Sequence, residues 1–143
     1  MKSILLLCGA LAALAPMTRG ETAAPAPDAR VAMREGLSAF TNGQYDAAAE
    51  AFATAAEHAG AIDRDPSVAH FNRGLALYRA AKWDAAAEAF QAARQTQDLN
   101  RQAQALYNAA LCRLRQVDAA FEAKQGQQIE RHFAEALDFL EQS

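Results

Sequence analysis

A chain of 143 residues has room for one compact domain or a short repeat array. Hydrophobic residues make up 52 % of it, but alanine alone supplies about a quarter of the chain, so bulky core residues are fewer than that figure implies. Ala, Glu, Gln and Arg lose little entropy in a helix and β-branched residues are scarce, which argues against a strand-rich fold. The apolar content argues against general disorder, and a formal charge of −3 gives no footprint for nucleic acid or anionic lipid.

In chain order, residues 1–20 have the layout of a secretory signal peptide: Lys2, then the uncharged run Ile4 to Ala15, then small residues. That run is too short to span a bilayer of ~30 Å. Cleavage after Ala15 would leave Pro16 first and obstruct the peptidase, so Thr18-Arg19-Gly20 is the expected site and Glu21 the new N-terminus. Cys8 follows Leu7 where a lipoprotein signal needs a small residue, which places a lipidated or membrane-anchored form second to a free periplasmic one. Loss of Lys2 and Arg19 makes the remainder more acidic, with Cys112 its single cysteine and no intramolecular disulfide available. Residues 21–28 (ETAAPAPD) are a Pro/Ala-rich tether.

The remainder, 29–143, reads as six helices at 29–42, 46–59, 66–81, 84–96, 100–116 and 127–142. Gly43 can end the first with a positive φ. Asp65-Pro66 supplies an N-cap carboxylate and a proline at the first helical position, Asp46 and Asp84 put negative charge at second-helix starts, and Asn100 can cap the fifth helix. The chain also repeats itself. Asp46 to Phe52 (DAAAEAF) recurs unchanged as Asp84 to Phe90, each copy preceded by an aromatic residue, Tyr45 or Trp83. Upstream, Met33 to Phe40 corresponds to Phe71 to Tyr78 and then to Tyr107 to Leu114. Three tandem helical hairpins follow, at about 29–62, 66–99 and 100–143.

These residues resemble the tetratricopeptide repeat (TPR) family. Gly36 and Gly74 match its glycine at the close helix crossing, with Ala110 in the third unit, and Ala48, Phe52, Ala55 and Ala86, Phe90, Ala93 match its second-helix signature. The resemblance implies an all-α solenoid of three hairpins wound as a right-handed superhelix, and a non-enzymatic role in protein–protein interaction. Departures are visible. The first link is four residues longer, through Gly60 to Arg64, and if Phe133, Ala136 and Leu140 answer to Trp83, Ala86 and Phe90, the third hairpin holds about fourteen extra residues around Val117 to Gln128. Gln127 to Gln142 would then be the closing helix. A narrower resemblance, carried by Gln97 to Ala103 before Tyr107-Asn108, the third-hairpin insertion and the signal peptide, is to small exported TPR proteins of bacterial aerotolerance-type operons. It implies a periplasmic assembly role in a membrane-associated complex.

No residue set points to catalysis, a cofactor or a metal. His58, His70 and His132 are far apart and lack the i, i+4 pairing of a helical zinc site. Cys112 shares its repeat position with Ala76, a small-residue slot suited to a buried structural thiol. Glu50 and Glu88 repeat with the scaffold and should face solvent. There is no glycine-rich phosphate loop. What remains is the face of the first helices. Met33, Leu37 and Phe40 share it by spacing, as do Phe71, Leu75 and Tyr78, and Tyr107, Leu111 and Leu114. In the TPR family these slots line the concave groove. Arg34, Asn72 and Asn108 occupy a neighbouring slot, Arg79 and Arg115 another, so the expected partner site is apolar with amide and guanidinium groups. The family's chaperone-tail clamp needs Lys and Asn where Met33 and Leu37 stand, which disfavours that ligand. The partner is expected to be a protein segment or, alternatively, a second copy of the chain forming a homodimer, with segment 117–128 either covering the groove or leaving it open.

Overall fold

The computed structural model describes residues 28–143, so the expected signal peptide and all of the tether but Asp28 lie outside the described residues. Six α-helices follow in order: α1 (Ala29–Thr41), α2 (Tyr45–Glu57), α3 (Ser67–Arg79), α4 (Trp83–Ala93), α5 (Leu99–Glu122) and α6 (Gly126–Gln142), with a 3-10 turn at Ala59–Ile62 in the long first link. Among the described residues there is no strand, and each helix packs against the next in sequence. This is an all-α solenoid of three hairpins.

Each hairpin opens on an aspartate. Asp28 accepts a bond from the Arg30 N–H at 2.8 Å, Asp65 from Ser67 at 2.8 Å and Asp98 from Arg101 at 3.2 Å. The carboxylate satisfies a free donor and meets the positive end of the helix dipole. Asn100, expected as a cap, instead lies inside the first turn of α5, because Asp98 takes the cap two residues earlier. All three first helices also end alike. Gly43, Ala81 and Lys124 adopt φ of 75°, 57° and 57°. In each case the next residue's N–H (Gln44, Lys82, Gln125) bonds a carbonyl five residues back at 2.9 Å, closing a Schellman turn.

The core of the first two hairpins is one phenylalanine under one glycine. Phe52 and Phe90 are fully buried. A Cβ built on Gly36 would stand 2.6 Å from the Phe52 ring, and one on Gly74 would stand 2.7 Å from Phe90, so these contacts require glycine. Alanines close the remaining space: Ala48, Ala49, Ala86, Ala87 and Ala89 are all buried around the two rings.

The third hairpin differs from expectation. Segment 117–128 does not fold over the groove: α5 runs on to Glu122 and α6 begins at Gly126, so the extra residues lengthen both helices. Lys124 lies 43 residues after Ala81 whereas Tyr107 lies 36 after Phe71. The difference is two turns added to α5, and α6 climbs the same two turns back. Ala136 is buried as expected of an Ala86 counterpart, but Phe133 and Leu140 are exposed at 50 % and 39 %. Phe139 packs on the core in place of Leu140. Ala110, at the glycine position, is buried.

Candidate partner-binding face

The first helices α1, α3 and α5 place their expected side chains along one face, and two contacts join them. The Asn72 amide approaches Met33 Sδ at 3.7 Å, linking α3 to α1, and Arg115 Nε donates to Tyr78 Oη at 2.9 Å, linking α5 to α3. That bond raises the affinity of Arg115 for its proton, and Asp118 stands 3.7 Å away. Arg115 is therefore already engaged, unlike Arg34 and Arg79, which are exposed. Asn108 donates to Gln104 O at 2.7 Å within its own helix. Phe71 is half-buried with its edge against Phe90, ring centroids 5.3 Å apart, and Leu75 and Tyr78 rest on the same core, so these serve as floor more than as free contacts. Leu111 is half-buried. Leu37 and Tyr107 stand out, 49 % and 53 % exposed. Glu50 and Glu88 face solvent.

The two links between hairpins are built differently. At the second, Arg101 reaches Ser67 Oγ at 3.3 Å and the carboxylates of Asp65 and Asp98 at 3.5 and 3.4 Å, while Thr96 Oγ1 donates to Asp65 at 2.6 Å. Burial pushes the Asp65 carboxyl up, but the bonds from Thr96 and Ser67 and the charge of Arg101 carry it below its ordinary value. At the first link, beside the 3-10 turn, lies an open cleft of about 470 Å³, with Arg30, Arg34, Arg64, Met33 and Ile62 among its walls. Arg30 and Arg64 carry no repeat signal. The only hint of them in sequence is the longer link itself.

A second polar cluster ties α4, α5 and α6 together. Arg113, whose side chain is 14 % exposed, lies 2.6 Å from Asp84 Oδ1 and 2.7 Å from Glu135 Oε2, and donates to Gln116 Oε1 at 2.8 Å. Its Nε–H is not aimed at Glu135, so that contact is an ion pair without a hydrogen bond. Gln116 and Arg113 hold the Asp84 carboxyl below the usual range, against the burial that would raise it. His132, buried, has Glu135 Oε2 3.9 Å from Nδ1, an acidic neighbour that sequence spacing alone did not bring out. The cluster is closed on itself and reads as a latch.

Cys112 is fully buried, and burial pushes its thiol up to about 12, which leaves no thiolate for attack at neutral pH. His70 is half-buried, and burial together with the Arg73 charge lowers its pKa. Among the described residues no group of three or more His, Cys, Asp or Glu could hold a metal ion, and no helix is long and apolar enough to cross a membrane.

Residues 33–100 match the family model of the tetratricopeptide repeat. No curated protein and no solved structure matches the chain.

Proposed function

With the chain a tetratricopeptide-repeat protein, a match carried by residues 33–100 and of a family whose repeats mediate protein–protein interaction and scaffolding, we propose that its α1–α3–α5 face binds a segment of a partner protein. The observation that supports this reading is the pair Leu37 and Tyr107, held exposed at the two sides of a face whose middle is fixed by Phe71, Tyr78 and the Arg115 bond. Apolar side chains displayed on a rigid frame gain free energy when a partner covers them. The work would be done in the periplasm after removal of residues 1–20, and the narrower resemblance to exported aerotolerance-type proteins supports a membrane-associated complex as its setting.

The test is crosslinking with mass spectrometry on periplasmic extract. The double variant Leu37→Asp, Tyr107→Asp should lose the wild-type partner while keeping its helicity and melting temperature, and Glu50→Ala with Glu88→Ala should keep it. The reverse pattern would move the surface to the second helices. A stable dimer at low micromolar concentration by light scattering would favour self-association through the same face. N-terminal sequencing should find a start at or near Glu21 in the osmotic-shock fraction, and an intact Met1 on membranes would overturn the export reading.

A further inference from the structure

The cleft at the first link has the dimensions of a ligand site, within the ~300–1,000 Å³ typical of such sites. Met33, Ala55, Ile62 and Ala69 give it an apolar lining, and Arg30, Arg34 and Arg64 line it as cations. Among the described residues none of the three arginine side chains forms an ion pair or a hydrogen bond. The two carboxylates of the same cleft are both occupied. Asp28 caps α1 through the Arg30 N–H, and Asp65 is shared among the Ser67 N–H, Thr96 and Arg101. Three guanidinium groups thus stand around an apolar floor against two carboxylates, and neither carboxylate is paired with any of the three, which leaves a cationic excess in the cleft of a chain whose formal charge is negative. The second link carries no such feature, because Arg101 bridges Ser67, Asp65 and Asp98 where the hairpins meet.

We infer that this cleft takes an acidic segment of a protein partner, one apolar side chain seated on the floor and its neighbouring carboxylates paired with Arg30, Arg34 and Arg64. The inference rests on the partner-binding reading above and gives one end of that face its chemistry. Planar guanidinium groups suit carboxylates through paired N–H donors, and an apolar floor adds a condition that charge alone cannot meet. The specificity is therefore double: an acidic segment lacking an apolar side chain, or an apolar one lacking acid, should each bind weakly.

Fluorescence anisotropy on the full chain tests this with a short labelled synthetic peptide alternating Glu and Leu, beside one with Lys for Glu and one with Ser for Leu. Only the Glu/Leu peptide should bind. Arg34→Ala and Arg64→Ala should each weaken it by about fivefold, since the ion pairs are solvent-exposed, and added salt should weaken it further. Both positions are exposed, so circular dichroism should be unchanged, and Arg131→Ala, on α6 and outside both the cleft and the first-helix face, should bind as wild type. Binding of the Lys peptide as well as the Glu peptide would overturn the inference, as would absence of binding or indifference to both arginine changes. Binding that the chain starting at Glu21 shows only after residues 21–27 are removed as well would also overturn it, by assigning the cleft to the chain's own tether. If the arginine variants are inert while Leu37→Asp, Tyr107→Asp loses the partner, the cleft inference fails and the face reading stands. If the arginine variants lose the peptide while that double variant keeps the partner, the face reading fails and the cleft remains an acidic-peptide site.

Discussion

In α1–α2 and α3–α4 the helices meet over a glycine and a phenylalanine, and in α5–α6 they meet over an alanine and a set of charges. The first arrangement brings backbones close and leaves only apolar atoms at the crossing, so shape decides it. The second keeps Ala110, turns Leu140 outward, seats Phe139 and adds the Arg113–Asp84–Glu135–Gln116 cluster across three helices. One repeat plan therefore supports two kinds of cement, one sensitive to volume and one sensitive to charge and pH. The third hairpin can extend two turns beyond its neighbours because its hold does not depend on one ring in one position.

The largest effect expected from breaking that contrast is Phe90→Ala, which should cost ~3–5 kcal/mol through lost transfer energy and a cavity, read by chemical denaturation. Gly74→Leu should follow at ~1–3 kcal/mol, since even a Cβ there stands 2.7 Å from the Phe90 ring. If both variants melt with the wild type, the repeat register is wrong. Arg113→Met should cost about 1–2 kcal/mol, a figure discounted because Asp84 and Glu135 are partly solvated. Its acid sensitivity is the sharper readout. The Asp84 carboxyl is depressed in the folded chain, so its contribution is complete above pH 3.8 and is lost as pH falls below that value. Arg113→Met should flatten this acid limb, and Phe90→Ala should not. The smallest change is a gain: Ala81→Gly should stabilise by about 0.5–1 kcal/mol, because φ of 57° is strained for alanine and free for glycine, as at Gly43.

The parts of the fold legible in the sequence are those set by local chemistry repeated in register. Gly36 with Phe52 and Gly74 with Phe90 advertise the first two hairpins because each contact needs a particular residue at a particular spacing. The Asp65 carboxylate on the Ser67 N–H, one residue ahead of the Pro66 at which α3 is capped, and the positive φ of Gly43 are legible for the same reason. Ala81 and Lys124 were not, since their left-handed conformations are imposed by the Schellman turns and not by residue type. The reach of α5 to Glu122 was hidden because helix extension needs no motif beyond continued periodicity. Of the candidate site, the face of Leu37, Tyr78 and Tyr107 follows from spacing, whereas the engagement of Arg115 by Tyr78 and the gathering of Arg30, Arg34 and Arg64 depend on how hairpins sit against each other.

The claim that the first helices form the partner surface is tested most directly by placing a photocrosslinking amino acid singly at Leu37, Tyr107, Glu50 and Glu88 in the full chain and irradiating in cells. Adducts with one partner protein from Leu37 and Tyr107, and none from Glu50 or Glu88, are the predicted result. Adducts from Glu50 and Glu88 alone would contradict it.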